Sequence, residues 1–118
     1  MTTTERTTPL IEVHERLGAT FTDFGGWKMP VRYASDLAEH HAVRQAAGIF
    51  DISHMAQFII TGDDRDAFLD HALPANVGIL KLSRAKYTMV LAPDGGIIDD
   101  LIVTRIGPDR LLVVANAS

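Results

Sequence analysis

Two carboxylates lie in a stretch that otherwise reads as a strand apolar on both faces, and this conflict constrains the chain more than any other feature. Pro93-Asp94-Gly95-Gly96 has the composition of a tight turn. It feeds Ile97-Ile98-Asp99-Asp100-Leu101-Ile102-Val103. Strand side chains alternate with period two, so Ile98, Asp100, Ile102 and Thr104 share one face, and Ile97, Asp99, Leu101 and Val103 the other. A strand of this kind is expected to be buried on both faces. An ionised Asp there needs a partner, because uncompensated burial of charge is expensive. Two readings stay open. In one, an Asp bonds turn amides and the other lies near solvent. In the other, one Asp faces a bound polar ligand and holds or moves a proton.

The flanking segments, Lys86 to Leu91 and Arg110 to Ala115, also read as strands, and the three predict a meander. A four-residue loop at Pro93–Gly96 pairs Ala92 with Ile97 and sets Met89 opposite Asp100. Tyr87 is then the diagonal neighbour of Asp100 on the same face. A three-residue loop at Gly107–Asp109 pairs Ile106 with Arg110, which sets Asn116 opposite Asp100 and Val114 opposite Ile102. One face then presents Tyr87, Met89, Asp100, Val114 and Asn116, although a slip of one residue in either loop reverses the facing. An aromatic ring, apolar neighbours, a carboxylate and an amide suit a flat heteroaromatic molecule with polar edges. Ordinary packing, with Asn116 satisfying an edge, is the alternative.

Earlier in the chain, Thr8-Pro9 predicts a helix start, with Leu10, Val13, His14 and Leu17 at helical spacing and Gly18 as its stop. His14 reads as a helix-side residue. Ala19 to Phe24 predicts a strand. Gly25-Gly26 lacks the spacing and the Lys of a phosphate loop, so it reads as a turn that brings the backbone close to Trp27. Met29-Pro30-Val31 is extended. Ser35 caps a helix to about Ala46, with Gly48 after it. Within it, His40 and His41 point about 100° apart, which is not chelating geometry for one metal. His40 is expected at the surface and His41 partly packed beside Leu37. Asp51, Ser53 and His54 imitate a hydrolase triad in composition only, since they are sequence neighbours without a strand–elbow–helix setting. Gln57 to Thr61 predicts a strand and Asp63 to Leu73 a helix with Phe68 and Leu69 inward. Pro74 ends that helix, and Leu80 to Arg84 is irregular.

Composition removes several functions. The chain of 118 residues is 47% hydrophobic and 22% charged, a globular balance, and its net charge of −4 carries no basic footprint for nucleic acid. It has no cysteine, which removes disulfides, thiolate catalysis and Cys-type zinc sites. No apolar run reaches membrane-spanning length, and the Thr-rich opening lacks the apolar core of a signal peptide. A cytoplasmic protein is the expectation, with a frayed segment over residues 1–7 and one domain over 8–118.

Five ordered stretches resemble a known family. They are Thr8-Pro9-Leu10, Phe24-Gly25-Gly26-Trp27-Lys28-Met29-Pro30-Val31, Arg44 through Met55, Gly95 through Val103, and Val113-Val114-Ala115-Asn116-Ala117. Together they look like the opening of the glycine cleavage system T-protein, an aminomethyltransferase. The resemblance implies an α+β fold, an antiparallel sheet with helices packed on one side. It implies transfer of a one-carbon unit from an aminomethyl group on the lipoyl arm of the H-protein to tetrahydrofolate, with release of ammonia. No metal is implied. Carried over by motif, Asp100 matches the family's key acidic residue, and Tyr87, Met55, Val114 and Asn116 match positions lining the folate site. Asp99, on the reverse face, is expected to serve folding.

The family's chain continues far beyond Ser118, so this sequence is expected to be a piece of a longer polypeptide. Alone it is expected to be inactive, with exposed sheet edges that pair between chains. Two rivals share the scaffold. One is another folate-dependent enzyme, a demethylase or the folate domain of a dimethylglycine- or sarcosine-oxidising enzyme. The other is a non-catalytic folate-fold protein, against which the complete Gly-Gly-Ile-Ile-Asp-Asp stretch speaks.

Overall fold

The structure, a computed structural model, describes residues 5–117. The chain divides into two compact units, one ending at His54 and one running from Met55 to Ala117. The expected α+β class holds, with the strands distributed over two sheets.

The first unit contains β1 (Arg6–Thr7), α1 (Ile11–Arg16), β2 (Thr20–Phe24), β3 (Trp27–Arg32) and α2 (Asp36–Gln45). Its sheet has the order β1-β3-β2, with β1 parallel to β3 and β2 antiparallel to it. Part of the segment expected to fray is thus a strand, held because Arg6 and Thr7 pair with Trp27 and Lys28. Residues 1–4 of that segment lie outside the described residues. Gly25 and Gly26 form the two-residue turn between Phe24 and its partner Trp27, both with positive φ (61° and 84°). That is the type I′ geometry, open to glycine at little cost, and it accounts for the pair without a ligand. Ser35 caps α2 as the sequence predicts, its hydroxyl accepting from the Ala38 amide at 3.4 Å. Glu39 adds to the cap by accepting from the Tyr33 and Ala34 amides, both at 2.9 Å. Among the described residues α2 buries nothing, so His41 and Leu37 are exposed, not packed together.

The second unit contains β4 (Ala56–Ile60), α3 (Arg65–Ala72), β5 (Ala85–Leu91), β6 (Ile97–Gly107) and β7 (Arg110–Ala115). The sheet runs β4-β7-β6-β5, antiparallel throughout. Leu101, Val103, Leu111 and Val113 point to one face and pack with Leu69 of α3, with Leu73 just past its end and with Val77. Each buried Leu or Val stabilises the unit by about 1.5–3 kcal/mol relative to exposure. Phe68 is 58% exposed, contrary to the inward placement expected of it. It is one residue, about 100° of helix, away from Leu69, and α3 turns Leu69 to the core instead. Arg105 shares the core face of β6. It is buried, with its guanidinium donating to the Leu80 and Val77 carbonyls and to Asp66 at 2.9 Å.

The opposite face of β6 is not buried. Ile98 is 66% and Ile102 41% exposed, so the expectation of burial on both faces fails for this strand. One face rests on α3.

Candidate functional site

The open face of the second unit carries Tyr87, Asp100 and Val114, three of the site residues expected from the sequence. The central register is the one the sequence predicts: Met89 opposes Asp100, Tyr87 opposes Ile102, and Val114 opposes Ile102 from the other side. The turns reach that register differently. Leu91, not Ala92, pairs with Ile97, so the first loop has one residue more than expected and Ile98 is bulged out of the ladder. Gly107, not Ile106, pairs with Arg110, so the second loop has one residue fewer and Ile106 is bulged. Each bulge cancels the error in its own loop.

Asp100 is the meeting point. Its Oδ2 accepts from the Tyr87 hydroxyl at 2.9 Å, and its Oδ1 accepts from Asn116 Nδ2 at 3.0 Å. The same nitrogen lies 3.2 Å from the Asp100 carbonyl oxygen. Asp100 is half-buried, and no cation pairs with it among the described residues. Donation to Asp100 raises the Tyr87 phenol above its usual range, with desolvation and the nearby Asp99 charge acting in the same direction. Val114 stands one pair along from Ala115 and lies between Gln57 and Ile102. Met55 is half-buried and immediately precedes Ala56, the partner of Ala115. The structure therefore joins Tyr87, Asp100 and Asn116 directly and sets Val114 beside them. Met55 stands at the end of β4, with no polar role.

Asp99 pairs with Val90, which packs against the core, so its strand position is on the reverse face from Asp100. Its Oδ1 accepts from Asn116 Nδ2 at 2.7 Å, the shortest of that nitrogen's three contacts, and from the Asp100 amide at 2.9 Å. These contacts hold its carboxyl below the ordinary range, the Asn116 side chain foremost, against an opposing desolvation. Alternation separates Asp99 from Asp100, and both carboxylates reach Asn116 because that residue lies just past the end of β7.

The first unit holds a different polar cluster. His14 is buried, with Nδ1 2.7 Å from the Tyr33 hydroxyl and Nε2 2.8 Å from Asp51 Oδ2. Thr8 donates to the same carboxylate oxygen at 2.7 Å, and Ser53 donates to Oδ1 through its hydroxyl and its amide. Burial pushes the Asp51 carboxyl up, but hydrogen bonds from the Ser53 hydroxyl, His14, the Ser53 amide and Thr8 outweigh it and hold it well below the usual range. The histidine of Asp51 is thus His14, not the neighbouring His54. His54 instead sets its ring edge-on to Phe24 and Trp27. Among the described residues no group of three or more His, Cys, Asp or Glu is placed to hold a metal ion.

Chemically, the open face offers a carboxylate held by two neutral donors, flanked by Met89, Val114 and Ile102. It can accept or relay a proton at a ligand nitrogen while the apolar side chains lie against a flat ring.

Known proteins are similar to this chain over nearly its whole length. Aminomethyltransferases of Cutibacterium acnes and Saccharopolyspora erythraea are 56% and 55% identical to it over 116 and 113 residues. Those matches cover 98% and 96% of this chain and 31% of each relative. The crystal structure of glycine cleavage system aminomethyltransferase T from Bartonella henselae superposes with a TM-score of 0.92 at 43% identity, covering 97% of this chain and 32% of that one. The chain thus spans about a third of the length of the relatives it matches. The model of the family described as GCVT N-terminal domain matches residues 10–118, and the chain belongs to that family.

Proposed function

We propose that the full-length polypeptide containing this chain is a tetrahydrofolate-dependent aminomethyltransferase of the glycine cleavage system. It takes the one-carbon unit from the aminomethyl group on the lipoyl arm of an H-protein, passes it to tetrahydrofolate and releases ammonia. The carbon loses its bonds to sulfur and to the departing nitrogen and gains two bonds to folate nitrogens. Two protons move from folate nitrogens to the thiol and ammonia, and no electrons change hands. Neither a metal nor nucleic acid nor a membrane enters the reaction, which we place in the cytoplasm. Among the described residues, no helix is long and apolar enough to cross a membrane.

The observation that carries this reading is the Asp100 carboxylate, held open on the sheet face by Tyr87 and Asn116. A reduced pteridine fits such residues: Met89 and Val114 can lie against the ring system, and Asp100 can meet an N–H on its edge. Asp100 is the catalytic residue in this reading. Its carboxylate orients the accepting amine, takes up its proton as the new bond forms and faces the positive charge that develops at carbon. Tyr87, Asn116, Val114 and Met55 line the folate seat.

The test is Asp100→Asn in the full-length enzyme, assayed for ammonia release from aminomethyl-lipoyl H-protein. Turnover falls roughly 10²–10⁴-fold, the range for a lost acid–base group. Near-normal turnover sinks the assignment. Release of carbon from a methylamine donor but not from the lipoyl-linked donor assigns the protein to the rival folate enzymes instead. The 118-residue chain by itself has no transferase activity in this reading and self-associates through its edge strands β4 and β5. Gel filtration that finds a monomer removes the second statement.

A further inference from the structure

Asn116 carries more than a place in the lining. Its Nδ2 faces three oxygens: Asp99 Oδ1 at 2.7 Å, Asp100 Oδ1 at 3.0 Å and the Asp100 carbonyl at 3.2 Å. A carbonyl oxygen only accepts, and so do ionised carboxylates, so the amide can face this set only through its NH₂. The branch turned away from the carboxylates is then Oδ1, an acceptor. The shortest of the three contacts belongs to Asp99, which also anchors itself by accepting from the Asp100 amide at 2.9 Å. Asp99 is thereby fixed to the backbone on one side and to the Asn116 side chain on the other.

We propose that Asp99 is a positioning residue, which locks the Asn116 amide with its oxygen outward and so makes the folate seat select a ring edge that donates N–H. The proposal rests on the folate reading above and extends it to a residue that strand alternation assigns to folding. Without Asp99 the NH₂ keeps only the two Asp100 oxygens, at 3.0 and 3.2 Å, so the amide is held more weakly and presents its oxygen to the ring edge for less of the time.

The experiment uses the full-length protein with Asp99→Ala and, as a graded companion that keeps a neutral acceptor, Asp99→Asn. With 5-formyltetrahydrofolate as the probe, Asp99→Ala weakens binding roughly 10–100-fold, and Asp99→Asn less, as expected for a hydrogen bond to a charged group. In turnover assays the KM for tetrahydrofolate rises by a larger factor than kcat falls, whereas a purely structural defect lowers the active fraction and leaves KM alone. In an Asn116→Ala background the Asp99 substitution has no further effect on probe binding, because the two residues act as a unit. An equal loss in both backgrounds overturns the proposal, and so does unchanged probe affinity in folded Asp99→Ala protein. A separate readout needs no folate: the Asn116 side-chain amide signals in ¹⁵N-Asn-labelled protein shift and broaden in Asp99→Ala. Should the wild-type protein bind no reduced folate, the folate reading falls, while these signals still decide whether Asp99 holds the amide. Signals unmoved by Asp99→Ala overturn the lock.

Discussion

The Tyr87 hydroxyl reaches Asp100 Oδ2 at 2.9 Å although the two residues are diagonal neighbours, each with a different residue directly opposite. A tyrosine is long enough to cross that diagonal, where a shorter side chain would meet only Ile102. The contact joins the edge strand β5 to the carboxylate of β6.

Removing the hydroxyl tests that link. Tyr87→Phe keeps the ring and deletes the donor, so Asp100 is held by Asn116 alone. In the full-length enzyme kcat/KM falls roughly tenfold, as for the loss of one hydrogen bond to a charged group. The phenol also reports directly. Its folded pKa is raised by Asp100, so its stabilising contribution is complete below about pH 10 and is lost as pH rises through the higher folded value. Absorbance titration of tyrosinate in Asp100→Asn protein finds one tyrosine ionising at lower pH than in the wild type; an unchanged curve refutes the coupling.

Acid unfolding should pass through Asp51. Its folded pKa lies below the unfolded one, so its contribution is present above the ordinary carboxylate range and disappears as pH falls through the folded value. Asp51→Asn weakens the bonds from His14, Thr8 and Ser53 and costs about 1–3 kcal/mol near neutrality. The gap between wild type and variant, followed by urea unfolding, stays level at neutral pH and narrows below about pH 4. A gap that widens on acidification contradicts the assignment.

Arg105→Leu should destabilise the second unit although it adds apolar surface to a core position. The Leu80 and Val77 carbonyls lose their charged donor, at about 1–3 kcal/mol each, while the half-exposed Asp66 regains water. A loss of roughly 2–4 kcal/mol in urea unfolding is the expected result. A variant as stable as the wild type means that the loop over residues 77–80 does not need the guanidinium.

Ser35→Ala removes the side-chain acceptor at the start of α2 and costs about 1 kcal/mol. Because α2 buries nothing, little tertiary packing compensates, and hydrogen exchange at the Ala38 amide accelerates. An unchanged exchange rate there shows that Glu39 alone secures the helix start.

The site was legible in the chain to the extent that alternation and turn spacing govern it. Tyr87, Asp100 and Asn116 come together because the meander has the register that the pattern of apolar residues requires. The contact of Asp99 with Asn116 was not legible, since parity assigns a side chain to a face and does not show what it reaches past the end of a neighbouring strand. His14 and Asp51 are 37 residues apart, a separation that no local pattern bridges, whereas His54 attracted attention only by adjacency. The exposure of Ile98 and Ile102 shows a further limit: an apolar side chain records a preference and not the identity of what covers it.

Ile98 and Ile106, each set out of the ladder beside its turn, have an evolutionary corollary. A deletion or insertion of one residue at either tip can be taken up by losing or gaining such a kink, without any slip in the rows between. The bends of this meander can therefore drift in length among descendants while the three polar side chains keep their alignment.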